Sequence, residues 1–231
     1  MKIRLVIVSL VIFIASSFSA FAGDVATFIN LGFSEDSGYF MFGFHGVDSG
    51  TNKPFSEIYT VDVKANNFVS GGTAKESYAE IIQPGNDASG AFYTLLGKHS
   101  NVIQKFRIKH MRQGRPLYIL LNGDAGKNSL EFRDFNTSNQ YSVQIIRNSN
   151  GSGAQIKSAF HIKLNIKQSN NSMKSYTIGR PDYFRDKVMD YRIRQIILSP
   201  DEKHIVFVIE RDEHTPSGKS VRYMVETVKL F

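Results

Sequence analysis

The sequence predicts a mainly β fold, with antiparallel meanders in two packed sheets and a short helical segment near residues 73–112. Stretches rich in β-branched and aromatic residues alternate with turns rich in Gly, Asn, Ser and Asp. The chain contains no cysteine, so its stability must come from a hydrophobic core and not from disulfides. The 209 residues that remain of 231 after a leader of 22 are enough to build such a core.

The leader, residues 1–22, has the pattern of a cleavable signal peptide. Lys2 and Arg4 precede an apolar run, and Ala20 and Ala22 occupy the two positions that a signal peptidase reads. The alternative is an anchor that stays attached, but a spanning helix needs about 20 apolar residues and this run is shorter. We therefore predict cleavage after Ala22.

What remains, residues 23–231, is predicted to be a single exported domain, periplasmic or secreted. No second apolar run approaches spanning length, so no transmembrane segment is expected after cleavage. Without Lys2 and Arg4 the formal net charge falls from +7 to +5. This mild excess favours anionic envelope components, such as polymers or lipid headgroups, as partners. Nucleic acid is not expected as a partner of an exported protein.

The exported region begins with three predicted strands separated by turns. Between the first two, Asp36 and Ser37 can bond back to the backbone and Gly38 tolerates a positive φ, so a tight turn has a local cause. Side chains of the third strand alternate as in a half-buried strand. The three strands are residues 26–33, 39–44 and 57–63.

The middle of the chain departs from this pattern. Between residues 73 and 112, Leu95, Val102 and Phe106 belong to an apolar series at helical spacing, which predicts one or two short helices. Strands resume beyond it, and a loop rich in Asn, Ser and Gly is predicted at 148–153. The later predicted strands are residues 117–121, 130–135, 141–147, 154–167, 192–198, 204–210 and 221–230.

A weak internal repeat joins the two ends of the chain. Residues 33–42 align without gaps with residues 198–207, and each copy places a turn rich in hydroxyls and acids before an apolar strand. This unit resembles a blade of a TolB-like β-propeller, although two copies are too few to close a propeller at about 40–45 residues per blade. The fold class therefore includes propeller-blade-like hairpins at both ends, and the sequence leaves open whether they pack together.

The two hairpins should match residue by residue. Ser34 and Ser199 should bond within their turns, whereas Asp36 and Asp201 should be exposed. Alternation along the strands predicts which apolar side chains point into a core. These are Phe33, Phe40 and Phe42 in the first copy, and Leu198, Ile205 and Phe207 in the second.

Four motifs carry a family resemblance: FINLGFSEDSGYFMFGFHG, EIYTVDV, GRPLYILL and YRIRQIILSPDEKHIVFVIE. They resemble an uncharacterised family of predicted secreted bacterial proteins, known chiefly from spirochaetes. The resemblance is densest at both ends of the exported region. It implies a bacterial, exported, cell-envelope setting, and it brings no catalytic residue with it.

Motifs of catalysis or cofactor binding are missing from the sequence. The six histidines form no H-x-x-x-H or H-E-x-x-H pair, and no G-x-S-x-G elbow occurs. The stretch from Gly123 to Asn128 has the wrong spacing for a phosphate loop, and Asn128 replaces its hydroxyl residue. We expect neither a cofactor nor a metal.

Two features leave a function open. Five acids could converge if the terminal meanders pack together, as in a glycosidase: Asp36, Asp62, Asp201, Glu210 and Glu226. Two basic stretches could hold an anion: residues 105–115, and residues 180–194 with their interleaved aromatics. The first stretch is predicted to be an anionic-ligand surface, formed by Lys105, Arg107, Lys109, Arg112 and Arg115. The sequence thus favours a non-enzymatic envelope protein that binds or scaffolds, with an envelope-polymer hydrolase as the alternative.

Overall fold

A computed structural model describes residues 23–83, 85–121 and 126–230. The predicted signal peptide lies outside these ranges. The described chain contains two α-helices, a short 3-10 turn at Gly153–Gln155, and thirteen strands. The elements are β1 (Thr27–Ser34), β2 (Tyr39–Val47), β3 (Pro54–Asp62), β4 (Asn67–Ser77), α1 (Ser89–Lys98), α2 (Ser100–Lys105), β5 (Ile108–Lys109), β6 (Arg115–Ile119), β7 (Ser129–Arg133), β8 (Gln140–Asn150), β9 (Lys157–Lys167), β10 (Met173–Asp186), β11 (Val188–Leu198), β12 (His204–Thr215) and β13 (Gly218–Lys229).

The strands form three antiparallel sheets, which confirms the mainly β fold of meanders but raises the number of sheets from two to three. The N-terminal sheet has the order β4-β3-β2-β1-β5, the central sheet β13-β12-β11-β6, and the outer sheet β10-β9-β8-β7. The third sheet arises because β7 to β10 pair with one another as a complete meander. That meander is inserted in the chain between β6 and β11, which are neighbours in the central sheet.

The central sheet is buried on both faces, and β12 shows why. Ile205, Phe207 and Ile209 pack into a core shared with the outer sheet, whereas Val206 and Val208 pack into a core shared with the N-terminal sheet. All five are fully buried. A strand covered on both faces carries a continuous apolar run instead of an alternating one, as this segment does.

The helices cover the remaining face of the N-terminal sheet. Phe92 and Leu95 of α1, three residues apart and therefore on one helix face, pack with Met41 and Ile58 of the sheet. Gly43 makes room for them, because a Cβ there would lie 2.6 Å from the Phe92 ring. Helices in the 73–112 region were predicted and are confirmed. The first residues of that region instead extend β4, which pairs with β3 as an edge strand.

The two terminal hairpins match as predicted. The Ser34 hydroxyl donates to Asp36 at 2.6 Å and accepts from the Tyr39 N–H at 2.9 Å. In the second copy, Ser199 donates to Asp201 at 2.5 Å and accepts from the His204 N–H at 3.0 Å. The six apolar residues predicted to be buried are at most 3% exposed. Asp36 is exposed, but the prediction for Asp201 is wrong: it is half-buried, because the His204 ring packs 3.6 Å from it.

Equivalent faces of the two hairpins follow one another through the stack. Phe40 and Phe42 point from the N-terminal sheet to the central sheet, and their counterparts Ile205 and Phe207 point from the central sheet to the outer sheet. The N-terminal and central sheets therefore present equivalent faces in the same direction, as successive propeller blades do.

A short N-terminal arm ties the central sheet to the rest of the chain. The Ala26 N–H donates to the Val221 carbonyl at 3.2 Å, and the Val221 N–H donates to the Asp24 carbonyl at 2.8 Å. The Asp24 carboxylate pairs with Arg222, whose guanidinium lies 4.2 Å above the Phe55 ring. The arm therefore joins β13 to β3 through one buried ion pair.

Two local predictions were wrong. The predicted loop at 148–153 begins later, because β8 and β9 stay paired as far as Asn150 and Lys157. Strand β10 was not predicted, since its side chains are mostly polar or exposed and give no period. Within the described ranges, no helix has the length and apolarity needed to cross a membrane.

Candidate functional site

A cleft opens where an edge strand from each of the three sheets meets the others. It has a volume of about 350 Å³, which lies within the range of small-ligand sites. Strands β3 and β4 form one wall, β12 and β13 a second, and β10 a third. The cleft depends on the stacking of the sheets, because residues from all three sheets line it.

Aromatic rings form the floor of the cleft. Tyr59 and Tyr223 are less than 10% exposed, while Phe68 is 46% exposed at the rim. The Tyr59 ring stacks on Phe42 at 5.1 Å between centroids and lies 5.2 Å from Phe68. An exposed aromatic face such as that of Phe68 can pack against the C–H face of a sugar ring.

Tyr59 is fixed as a neutral hydrogen-bond donor. Its hydroxyl donates to the Glu57 carboxylate, which also pairs with the Lys75 ammonium at 2.9 Å. Burial, reinforced by the negative charge of Glu57, raises the pKa of Tyr59 well above its usual value. The ring therefore stays uncharged at any physiological pH.

Four cations line the cleft: Lys75, Arg180, Arg185 and Arg211. The Arg185 guanidinium sits among aromatic rings, 4.9 Å from the centroid of Tyr183 and 5.5 Å from that of Phe160. Ring contacts of this kind hold a guanidinium in place through its face. Within the described part of the chain, Arg185 Nη1 and Arg211 Nε are buried and have no hydrogen-bond acceptor. The Arg211 guanidinium pairs with Glu213 on the same strand.

Glu226 is the single carboxyl among the described residues that line the cleft. It is 7% exposed, accepts a hydrogen bond from the Asn66 amide at 2.6 Å, and lies 3.8 Å from Arg185. Burial raises the pKa of Glu226, and this effect outweighs the attraction of Asn66 and the nearby arginines. The Asn66 carbonyl oxygen accepts from the Thr227 N–H at 2.7 Å, so one turn residue connects β13 to the β3–β4 turn. Asn66 has a φ of 51°, a conformation that asparagine tolerates.

Residues 41–229 match the family described as "Predicted secreted protein (DUF2259)". The chain belongs to this family. The match agrees with the exported localisation predicted from the sequence. No curated protein and no solved structure matches the chain.

In this DUF2259 member, the basic stretch 105–115 lies away from the cleft. Lys105, Arg107 and Lys109 are exposed on α2 and β5, close to the β1–β2 turn. Arg112 is half-buried. Arg115 donates to both oxygens of Asp134, at 2.6 and 3.0 Å, and is therefore already paired.

The second basic stretch divides between two environments. Arg180 and Arg185 of β10 line the cleft, as does the aromatic residue Tyr183. Arg192 on β11 instead donates to Glu210 at 3.1 Å and to Asp212 at 3.0 Å. Lys75, Arg211 and Asn66 were missed, because they are distant in sequence and no local pattern could place them together.

The five acids do not converge in this DUF2259 member. Asp36 and Asp201 bond within their turns, and Asp62 accepts from the Ala65 N–H at 2.9 Å. Glu210 pairs with Arg192. Glu226 alone reaches the cleft. Within the described ranges no group of three or more His, Asp or Glu side chains could hold a metal ion.

Proposed function

We propose that this secreted protein is a non-enzymatic binding protein of the cell envelope that holds an anionic carbohydrate in the three-sheet cleft. One observation carries the proposal: Arg180 and Arg185 border an aromatic cleft in which Glu226 is the one lining carboxyl among the described residues. The other two lining cations, Lys75 and Arg211, are paired with Glu57 and Glu213. The exposed Arg180 guanidinium suits carboxylate or phosphate oxygens, which it can bind as a pair. The exposed rings of Phe68 and Tyr183 suit the sugar ring that bears them.

The same lining favours binding over hydrolysis. Glycosidases generally use two carboxyl groups about 5–9.5 Å apart, on either side of the scissile bond. Among the described residues of the cleft, Glu226 has no carboxyl partner. It accepts a hydrogen bond from Asn66, which ties β13 to the β3–β4 turn. A binding protein needs only the cations and the rings, both of which are present.

Calorimetric titration with sugar acids, sugar phosphates and their neutral parent sugars tests the proposal. We expect the anionic sugars to bind and the neutral sugars to bind at least tenfold more weakly. The Arg180→Gln variant should weaken binding about 10- to 100-fold, because a charge-assisted hydrogen bond contributes about 1.5–3 kcal/mol. Arg180 is exposed, so its replacement should leave the fold intact.

Lys53→Gln is the matched control, because Lys53 is an exposed cation that does not line the cleft. It should bind as tightly as the unmodified protein. Equal binding of neutral and anionic sugars would contradict the proposal. Release of reducing ends from a polymer would instead establish the hydrolase.

A further inference from the structure

One end of the molecule gathers the turns of all three sheets. Ser34, which opens the β1–β2 turn, pairs with Ile108 of β5. Arg115, at the start of β6, pairs with Leu198 and bonds to Asp134 in the β7–β8 turn. We call this the turn end and define it as residues 34–38, 63–66, 105–115, 133–139, 167–173 and 199–203.

The turn end is basic, and the opposite end is not. Residues 105–115 contribute five cations and no carboxyl, and the other turns contribute four cations and five carboxyls, for a net charge of +4. The opposite end comprises residues 23–26, 47–54, 85–89, 150–157, 186–188 and 213–219. It carries four cations and five carboxyls, for a net charge of −1. The charge of the protein is therefore polarised along the direction of the strands.

Three large apolar side chains of the turn end are exposed: Met173 at 61%, and Met111 and Phe135 almost completely. Met111 is 96% exposed and lies between Lys109 and Arg112 in sequence. Phe135 is 93% exposed and directly follows Asp134, the partner of Arg115. A lone exposed apolar residue is ordinary, but two that are almost fully exposed beside a basic stretch form an amphipathic tip.

We propose that the turn end docks the protein on an anionic lipid surface, with the cations at the headgroups and Met111 and Phe135 inserted among the acyl chains. Charge complementarity accounts for the basic stretch. Insertion accounts for the apolar tips, which a water-soluble polyanion would leave exposed. The carboxyls of Glu35 and Asp36 beside Arg107 reduce the attraction without reversing its sign.

Cosedimentation with vesicles tests this docking. The protein recovered after export should bind vesicles of phosphatidylglycerol and phosphatidylcholine, should bind pure phosphatidylcholine at least tenfold more weakly, and should dissociate as salt is raised. Lys109→Gln should lower the partition coefficient about fivefold, the effect of one cation near an anionic surface. Met111→Ala and Phe135→Ala should each lower it at least threefold.

Matched controls come from outside the turn end: Lys53 belongs to the opposite end, and Ile81 is 66% exposed next to Ile82, whose N–H donates to the Asn52 carbonyl at 2.8 Å. Ile81→Ala and Lys53→Gln should leave vesicle binding unchanged, and thermal unfolding should be the same for all five variants. Equal loss in the controls would overturn the proposal, as would equal binding to neutral vesicles. If Lys109→Gln weakens vesicle binding but Met111→Ala and Phe135→Ala do not, the surface binds a soluble polyanion and the lipid-docking proposal is overturned. Arg180→Gln should not affect vesicle binding, which separates this site from the cleft.

Discussion

The stacked cores imply that Phe207 is much more important for stability than the acid of the neighbouring turn. The Phe207 side chain is fully buried in the core between the central and outer sheets. Phe207→Ala leaves a cavity that neighbours on paired strands can fill only in part, so we expect a loss of about 3–5 kcal/mol in the free energy of unfolding. Asp201 accepts bonds from Ser199 and from the Lys203 N–H at 3.2 Å, at the surface of a tight turn. Its replacement by alanine should cost about 1 kcal/mol.

Urea unfolding followed by circular dichroism measures both variants against the unmodified protein. The slope of free energy against urea should be unchanged, so that the shift in midpoint reports stability directly. Ile205→Val is a graded control in the same core and should cost about 0.5–1.5 kcal/mol. If Asp201→Ala proves more destabilising than Phe207→Ala, the central sheet is not the main stabilising layer and the turn acids form part of a functional site.

Two further predictions concern pH. The pKa of Glu226 is raised in the folded state. Its contribution to the free energy of unfolding is therefore most favourable below the pKa of the unfolded chain, and is lost as pH rises through the pKa of the folded protein. Glu226→Gln should therefore be more stable relative to the unmodified protein at pH 7 than at pH 4 in thermal unfolding, and the opposite trend would show that the carboxylate is stabilised in place. The pKa of Asp134 is shifted in the opposite direction, because Arg115 and Thr137 lower it to about 2. The carboxylate therefore stabilises the fold above its unfolded pKa, and this stabilisation is lost as pH falls toward 2. Asp134→Asn should cost about 1.5–3 kcal/mol at pH 7 and little near pH 2, and a cost that does not change with pH would refute the assignment.

Local patterns predicted the parts of this fold that have local causes. The two hairpins were predicted residue by residue because the Ser34 and Ser199 turns close on bonds within five residues. The helices were predicted because Leu95, Val102 and Phe106 belong to an apolar series at helical spacing. Strand β10 was missed because it lies at a sheet edge with most of its side chains in solvent.

The candidate site was only partly predictable, for a related reason. The sequence indicated that Arg180, Arg185 and Tyr183 could act together, because they interleave in one short stretch of the chain. It could not indicate that Lys75 and Arg211 face them, since that depends on how three sheets stack. Nor could it separate free cations from paired ones, as Arg115 and its partner Asp134 illustrate.

The position of the central sheet sets the order in which the protein can fold during secretion. Strands β11 to β13, which make up most of this middle layer, follow every strand of the other two sheets in the chain. Until they arrive, the inward faces of the N-terminal and outer sheets have nothing to cover them. The contacts of the N-terminal arm at Asp24 likewise cannot form until Val221 and Arg222 are in place. The contacts that join the most distant parts of the chain are therefore the last that can form.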